Sequence, residues 1–231
     1  MEECVVGLGT LLIYFAVLLI LPLWAQSKVK NTYKKYMKVP SSSGMPGADV
    51  ARRILQENGI YDVRVEETKG FLSDHYDPRK KVVRLSSHNY HEPSKAAAAI
   101  AAHEVGHAIQ DAEDYAFLRF RHSLVPLANL GSNFSFFLII AGILLTIPGL
   151  LGVGIVFMAF AVLFQLVTLP VEFNASNRAM DQLVSTGVIA NNEHGETKKV
   201  LNAAALTYVA AAVVALMELA RFVLMFLHMN E

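Results

Sequence analysis

Three long apolar stretches interrupt an otherwise mixed chain. Residues 5–24 carry no charge, and the run is long enough to cross a ~30 Å hydrocarbon core. Residues 123–171 carry no charge either. That is about twice one span, and Pro148-Gly149 breaks it near the middle. It predicts a helical hairpin, one arm ending near residue 147 and the other running over residues 150–169. Within it Asn129, Ser132, Asn133, Ser135 and Gln165 should face protein or a wet cavity rather than lipid. A last apolar helix over residues 201–227 is interrupted by Glu218 and Arg221, at i and i+3. The two either neutralise one another or leave Arg221 to snorkel toward a surface.

The polar intervals have different periods. Residues 40–47, rich in Ser, Gly and Pro, read as a linker. Asp49 then caps a predicted helix over residues 50–58, with Val50, Ile54 and Leu55 inward and Gly59 as the stop. Alternation predicts a strand over residues 61–66, and two more follow at 70–73 and 81–86, joined through the turn pair Asp77-Pro78. Such a sheet either supports its neighbours or offers an edge to an extended peptide. Ser94 caps a long helix over residues 95–115 that opens on an alanine-rich turn. The chain thus divides into an N-terminal anchor (1–27), a charged, water-exposed lobe (28–122), a membrane hairpin (123–171), a polar segment (172–200) and a C-terminal membrane helix (201–231). The fold class is an α-helical integral membrane protein of about four spans, with a small α+β lobe.

Composition agrees, since 54% of the 231 residues are hydrophobic and only 17% are charged. The 20 basic and 20 acidic residues balance, and nothing points to nucleic acid. One cysteine, Cys4, excludes an intramolecular disulfide and a cysteine-based zinc site. Glu2 and Glu3 precede the first span, while Lys28, Lys30, Lys34, Lys35 and Lys38 follow it. The positive-inside rule therefore places the N-terminus outside and the lobe in the cytoplasm of a plasma membrane, behind an uncleaved anchor.

The chemistry lies at His103-Glu104-Val105-Gly106-His107. On a helix, H-E-x-x-H stacks two histidines on one face at the spacing that binds one zinc ion. Glu104, next to the first histidine, is placed to take a proton from the attacking water and pass it to a leaving amine. A catalytic zinc site needs a third protein ligand and an open position. The metzincin continuation is absent, because Gln110 and Glu113 occupy the glycine and histidine places. Between Glu113 and Glu193 the only glutamate is Glu172, at the end of the third span. A hairpin that leaves the cytoplasmic side returns to it, so Glu172 arrives where His103 and His107 lie. The competing role for Glu172 is a membrane-border or capping carboxylate. His88 and His91 either assist at the site or sit on the surface; His75, His122, His194 and His228 read as solvated or capping residues.

These stretches resemble the YugP-type neutral zinc metallopeptidases of bacterial membranes. The likeness rests on GFLSDHYDP at 70–78, AAHEVGHAIQ at 101–110 and LNAAALTY at 201–208, and extends over nearly the whole chain. More distantly, EFNASNRA at 172–179 is similar to the E-[FY]-x-A-D-x-x-A segment of HtpX-like and CAAX prenyl membrane proteases. There the glutamate is the third zinc ligand, which the resemblance carries to Glu172. Those proteins have aspartate where this chain has Ser176, leaving Ser176, Asn177 or Asp181 to orient a ligand. The expectation is a bacterial membrane zinc endopeptidase of gluzincin type, with His103, His107 and Glu172 on Zn2+ and Glu104 as base and acid. Its partners are a protein or peptide substrate and the bilayer. The alternative is a catalytically idle, zinc-stabilised membrane scaffold or adaptor. A metal transporter fits poorly, for want of a ladder of carboxylates or histidines within the apolar spans.

Overall fold

The computed structural model describes residues 8–230; Glu2, Glu3 and Cys4 lie outside the described residues. It is mostly helical. Helix α1 spans Leu8–Tyr36, α2 Gly47–Glu57, α3 Ser87–His91, α4 Lys95–Ala112, α5 Ala116–Leu144, α6 Pro148–Ser185 and α7 His194–His228. Four of these helices, α1, α5, α6 and α7, are long and apolar enough to cross a membrane. Strands β1 (Arg64–Thr68), β2 (His75–Asp77) and β3 (Val82–Ser86) form one sheet in the order β1-β3-β2. β1 runs parallel to β3, with Val65 opposite Val83, and β2 runs antiparallel to it, with Tyr76 opposite Val83.

Two compact units partition the chain. One comprises residues up to Lys28, Ser123–Leu166 and the chain from Leu206. In it α5 and α6 approach so closely that a Cβ on Gly142 would lie 2.5 Å from the Leu151 backbone nitrogen, and one on Gly131 would lie 2.4 Å from the Phe157 carbonyl oxygen. Small residues that let helix backbones touch are how spans associate where apolar burial gives no preference for protein over lipid. Glu218 and Arg221 do pair, at 2.7 Å, and the Tyr14 hydroxyl also donates to Glu218. Neutralisation therefore describes this pair better than snorkelling.

The other unit comprises Val29–His122 and Val167–Ala205. Its core gathers Val50, Ile54 and Leu55 from α2, Val83 and Leu85 from β3, Ala98, Ala102 and Val105 from α4, and Ala179 and Leu183 from α6. Each larger aliphatic side chain contributes roughly 1.5–3 kcal/mol by leaving water. The Ser94 hydroxyl accepts from the Ala97 amide at 3.1 Å and so caps α4, as its sequence suggests. Asp49 is not the α2 cap. Pro46 holds that position, and Asp49 pairs with Arg52 one turn on, at 2.8 Å.

The strands fall later than alternation suggests. Gly70 and Leu72 adopt φ of +118° and +53°, so the chain bends over residues 70–72 instead of extending, and β2 begins only at His75. The larger revision concerns α6. The expected arm ends at residue 169, but the helix continues through Pro170 to Ser185. Val171, Ala175, Ala179 and Leu183, spaced by four, are all fully buried, and this stripe carries the helix through the polar segment. Glu172 therefore stands inside a helix rather than at the end of one.

Asp111, near the end of α4, pins the sheet and α5 to that helix. Its side chain is 4% exposed and accepts from Lys81 Nζ and pairs with Arg119, both at 2.8 Å, and accepts from the Tyr76 hydroxyl at 2.8 Å. Burial works against its charge, but the Lys81 and Tyr76 hydrogen bonds and the two cations outweigh burial and hold its carboxyl below the usual range. A depressed folded value means stability that is present above the unfolded pKa of ~3.9 and is lost as pH falls through the folded one. Asp111→Asn should cost about 3 kcal/mol at neutral pH and flatten the acid loss below about pH 4 in detergent melting curves. A parent-like melt at pH 7 would show that this cluster does not hold the helix.

Candidate metal centre

His103 and His107 lie one turn apart on α4, their rings edge to face with centroids 4.8 Å apart. Glu172 reaches them from α6, its side chain 4% exposed. Its Oε2 is 3.2 Å from His103 Nε2 and 3.6 Å from His107 Nε2. Four ligands at ~2.1 Å from a zinc ion stand about 3.4 Å apart along a tetrahedral edge, so these separations suit such an ion. Among the described residues this is the group of His, Cys, Asp and Glu donors gathered closely enough for a metal, all within 4.8 Å. The donor set, two imidazoles and a carboxylate with no thiolate, fits zinc.

A glycine makes the meeting of the two helices possible. A Cβ on Gly106 would sit 2.6 Å from the Ala175 carbonyl oxygen, so only glycine lets α4 and α6 come this close. Between the two histidines, position 106 thus serves packing as much as motif.

Both Nδ1 atoms are engaged elsewhere, which leaves the Nε2 atoms for the shared position. The Ser176 hydroxyl is 3.2 Å from His103 Nδ1, while Asn177 and Asp181 are exposed. Gln110 Oε1 is 3.0 Å from His107 Nδ1. Arg121 Nη1 lies 3.8 Å from Glu172 Oε1, on the side away from the imidazoles' shared oxygen. Glu104 is itself buried, and burial pushes its carboxyl above the usual carboxylate range against the opposing charges of His103 and His107. A carboxylate raised in this way is better matched to accepting and returning a proton near neutral pH.

The remaining histidines stand apart. His91 pairs with Glu67 at 3.1 Å, His75 Nδ1 contacts the Ser73 carbonyl at 2.8 Å, and His88 and His194 are exposed. Asp74 accepts from the Ser86 amide at 2.7 Å and from Asn89 at 2.9 Å, tying the 70–78 motif to the start of α3. Its negative charge adds to the rise at Glu104.

Four apolar helices, together with two imidazoles and a carboxylate gathered beside a buried glutamate, define a membrane protein with a metallopeptidase-like centre. Comparison with known proteins agrees. Residues 11–227 match the family described as "Putative neutral zinc metallopeptidase". The chain is also 54% identical, over 208 residues, to the "Putative membrane protease YugP" of Bacillus subtilis (strain 168), covering 90% of this chain and 92% of that one. The chain belongs to this metallopeptidase family. No solved structure matches it.

Proposed function

We propose that the chain is a membrane zinc endopeptidase of gluzincin type, with His103, His107 and Glu172 holding the metal. The observation that carries this is the convergence of His103 Nε2, His107 Nε2 and Glu172 Oε2 beside the buried Glu104. When bound, zinc lowers the pKa of water toward ~7 and polarises the scissile carbonyl. Glu104 takes the proton of the attacking water and returns it to the leaving amine, so that hydroxide is added at carbon and hydrogen at nitrogen. The close walls of α4 and α6 restrict solvent around that transfer.

Substrates in this reading are membrane, membrane-associated or misfolded proteins, bound extended along a free edge of β1 or β2. The lysines that follow the first span support a site on the cytoplasmic face of a bacterial plasma membrane, with the N-terminus outside. The segments 28–122 and 172–200 then form the cytoplasmic zincin lobe. The test is cleavage of an unfolded protein such as casein by the detergent-solubilised full chain. Cleavage that a chelator stops and added zinc restores is the expected result. Zinc-loaded protein without any cleavage would favour the idle scaffold.

A further inference from the structure

Gln110 and Glu113 occupy the two places that exclude a metzincin continuation, and the structure gives both of them partners. Gln110 is fully buried. Its carboxamide nitrogen donates to the Val171 carbonyl at 2.8 Å and to Asn174 Oδ1 at 2.9 Å. A backbone carbonyl only accepts, so the nitrogen must face α6 and the oxygen must face His107. That oxygen, 3.0 Å from Nδ1, in turn requires a proton on Nδ1. Asn174 is oriented by the same logic, since its Oδ1 also accepts from Arg178 Nε at 2.7 Å. Arg178 ends the line on Glu113, also at 2.7 Å and open to solvent.

We infer that Gln110 is a positioning residue that holds His107 in its Nδ1–H tautomer, leaving Nε2 free for the metal, and that Asn174, Arg178 and Glu113 hold Gln110 in place. The inference rests on the zinc-peptidase reading above. It makes the two histidines unequal. The Ser176 hydroxyl beside His103 can donate or accept, so it dictates neither tautomer, whereas a carboxamide locked by a backbone carbonyl permits one. Losing Gln110 should therefore cost more than losing Ser176.

The test is zinc competition against a chromophoric chelator on the full-length chain in detergent, with melting curves of metal-free and zinc-loaded protein. Gln110→Met keeps volume but removes both the acceptor and the donors. Zinc affinity should fall 10–100-fold, the usual effect of losing a partner that orients a metal-binding imidazole. The metal-free melt should drop by what the lost buried hydrogen bonds cost, and the inference is read from a further loss in the zinc-dependent rise in melting temperature. Ser176→Ala should change affinity less than Gln110→Met. In nitrogen-15 histidine spectra of zinc-loaded parent, one ring should show a slowly exchanging Nδ1 proton that disappears in Gln110→Met.

Unchanged zinc affinity in Gln110→Met overturns the inference, as does an equal loss of metal-free and metal-loaded stability. If Gln110→Met fails to fold, the nitrogen-15 spectrum of the zinc-loaded parent decides: histidine rings without a slowly exchanging Nδ1 proton overturn the inference, because the Gln110 oxygen would then have no proton to accept. A parent that binds no zinc removes the peptidase reading and this inference together. A parent that binds zinc no better than Gln110→Met removes this inference alone.

Discussion

Replacing Glu104 by glutamine is expected to lower peptide hydrolysis roughly 10²–10⁴-fold while leaving zinc bound. Glutamine has nearly the volume of glutamate, so the buried position on α4 stays filled and His103 and His107 keep their places. What disappears is the carboxylate that accepts a proton from water and gives it to the amine. In energy the expected loss is about 3–5 kcal/mol of transition-state stabilisation. Casein cleavage and zinc content should be measured on one preparation. Parent-like cleavage by Glu104→Gln would remove Glu104 from the mechanism, whereas equal inactivity of parent and variant would support the scaffold reading.

Removing Glu172 should have the opposite signature. In Glu172→Ala the carboxylate oxygen shared by the two Nε2 atoms is gone, and with it the negative charge of the site. A cation is disfavoured twice, by the lost ligand atom and by the lost negative charge. Zinc affinity should fall on the order of 100-fold or more, beyond the 10–100-fold typical of partners that merely orient a ligand. Glu172→Gln, which keeps the shape and loses the charge, should fall between parent and alanine. Full zinc occupancy in Glu172→Ala after dialysis against a weak chelator would show that the third ligand lies elsewhere.

Legibility in the sequence followed the range of the interactions. The His103/His107 pair depends only on the turn of one helix, so a five-residue pattern conveys it. Glu172 was reachable by exclusion, as the single glutamate between Glu113 and Glu193, once a charge-free hairpin was seen to return to its starting side. The course of α6 was harder to read. The expected arm ends at residue 169, although the spacing of Val171, Ala175, Ala179 and Leu183 carries a helical stripe beyond it. The bend at Gly70 and Leu72 reads as a strand because Phe71 and Leu72 make a short apolar run before a turn pair, whereas the backbone there takes positive φ. The line from His107 through Gln110 and Asn174 to Arg178 was not legible at all. It joins two residues 64 positions apart, Gln110 and Asn174, on helices that meet because Gly106 lets α4 settle against the Ala175 carbonyl.

X-ray absorption at the zinc edge, on full-length Glu104→Gln protein reconstituted with one equivalent of zinc, tests the proposed centre most directly. The expected spectrum has two imidazole nitrogens and carboxylate or water oxygens at ~2.0–2.2 Å, with no sulfur. It should lose its carboxylate contribution in the Glu104→Gln, Glu172→Ala double variant. Failure to retain zinc, or a shell with an imidazole count other than two, would contradict a centre built from His103, His107 and Glu172.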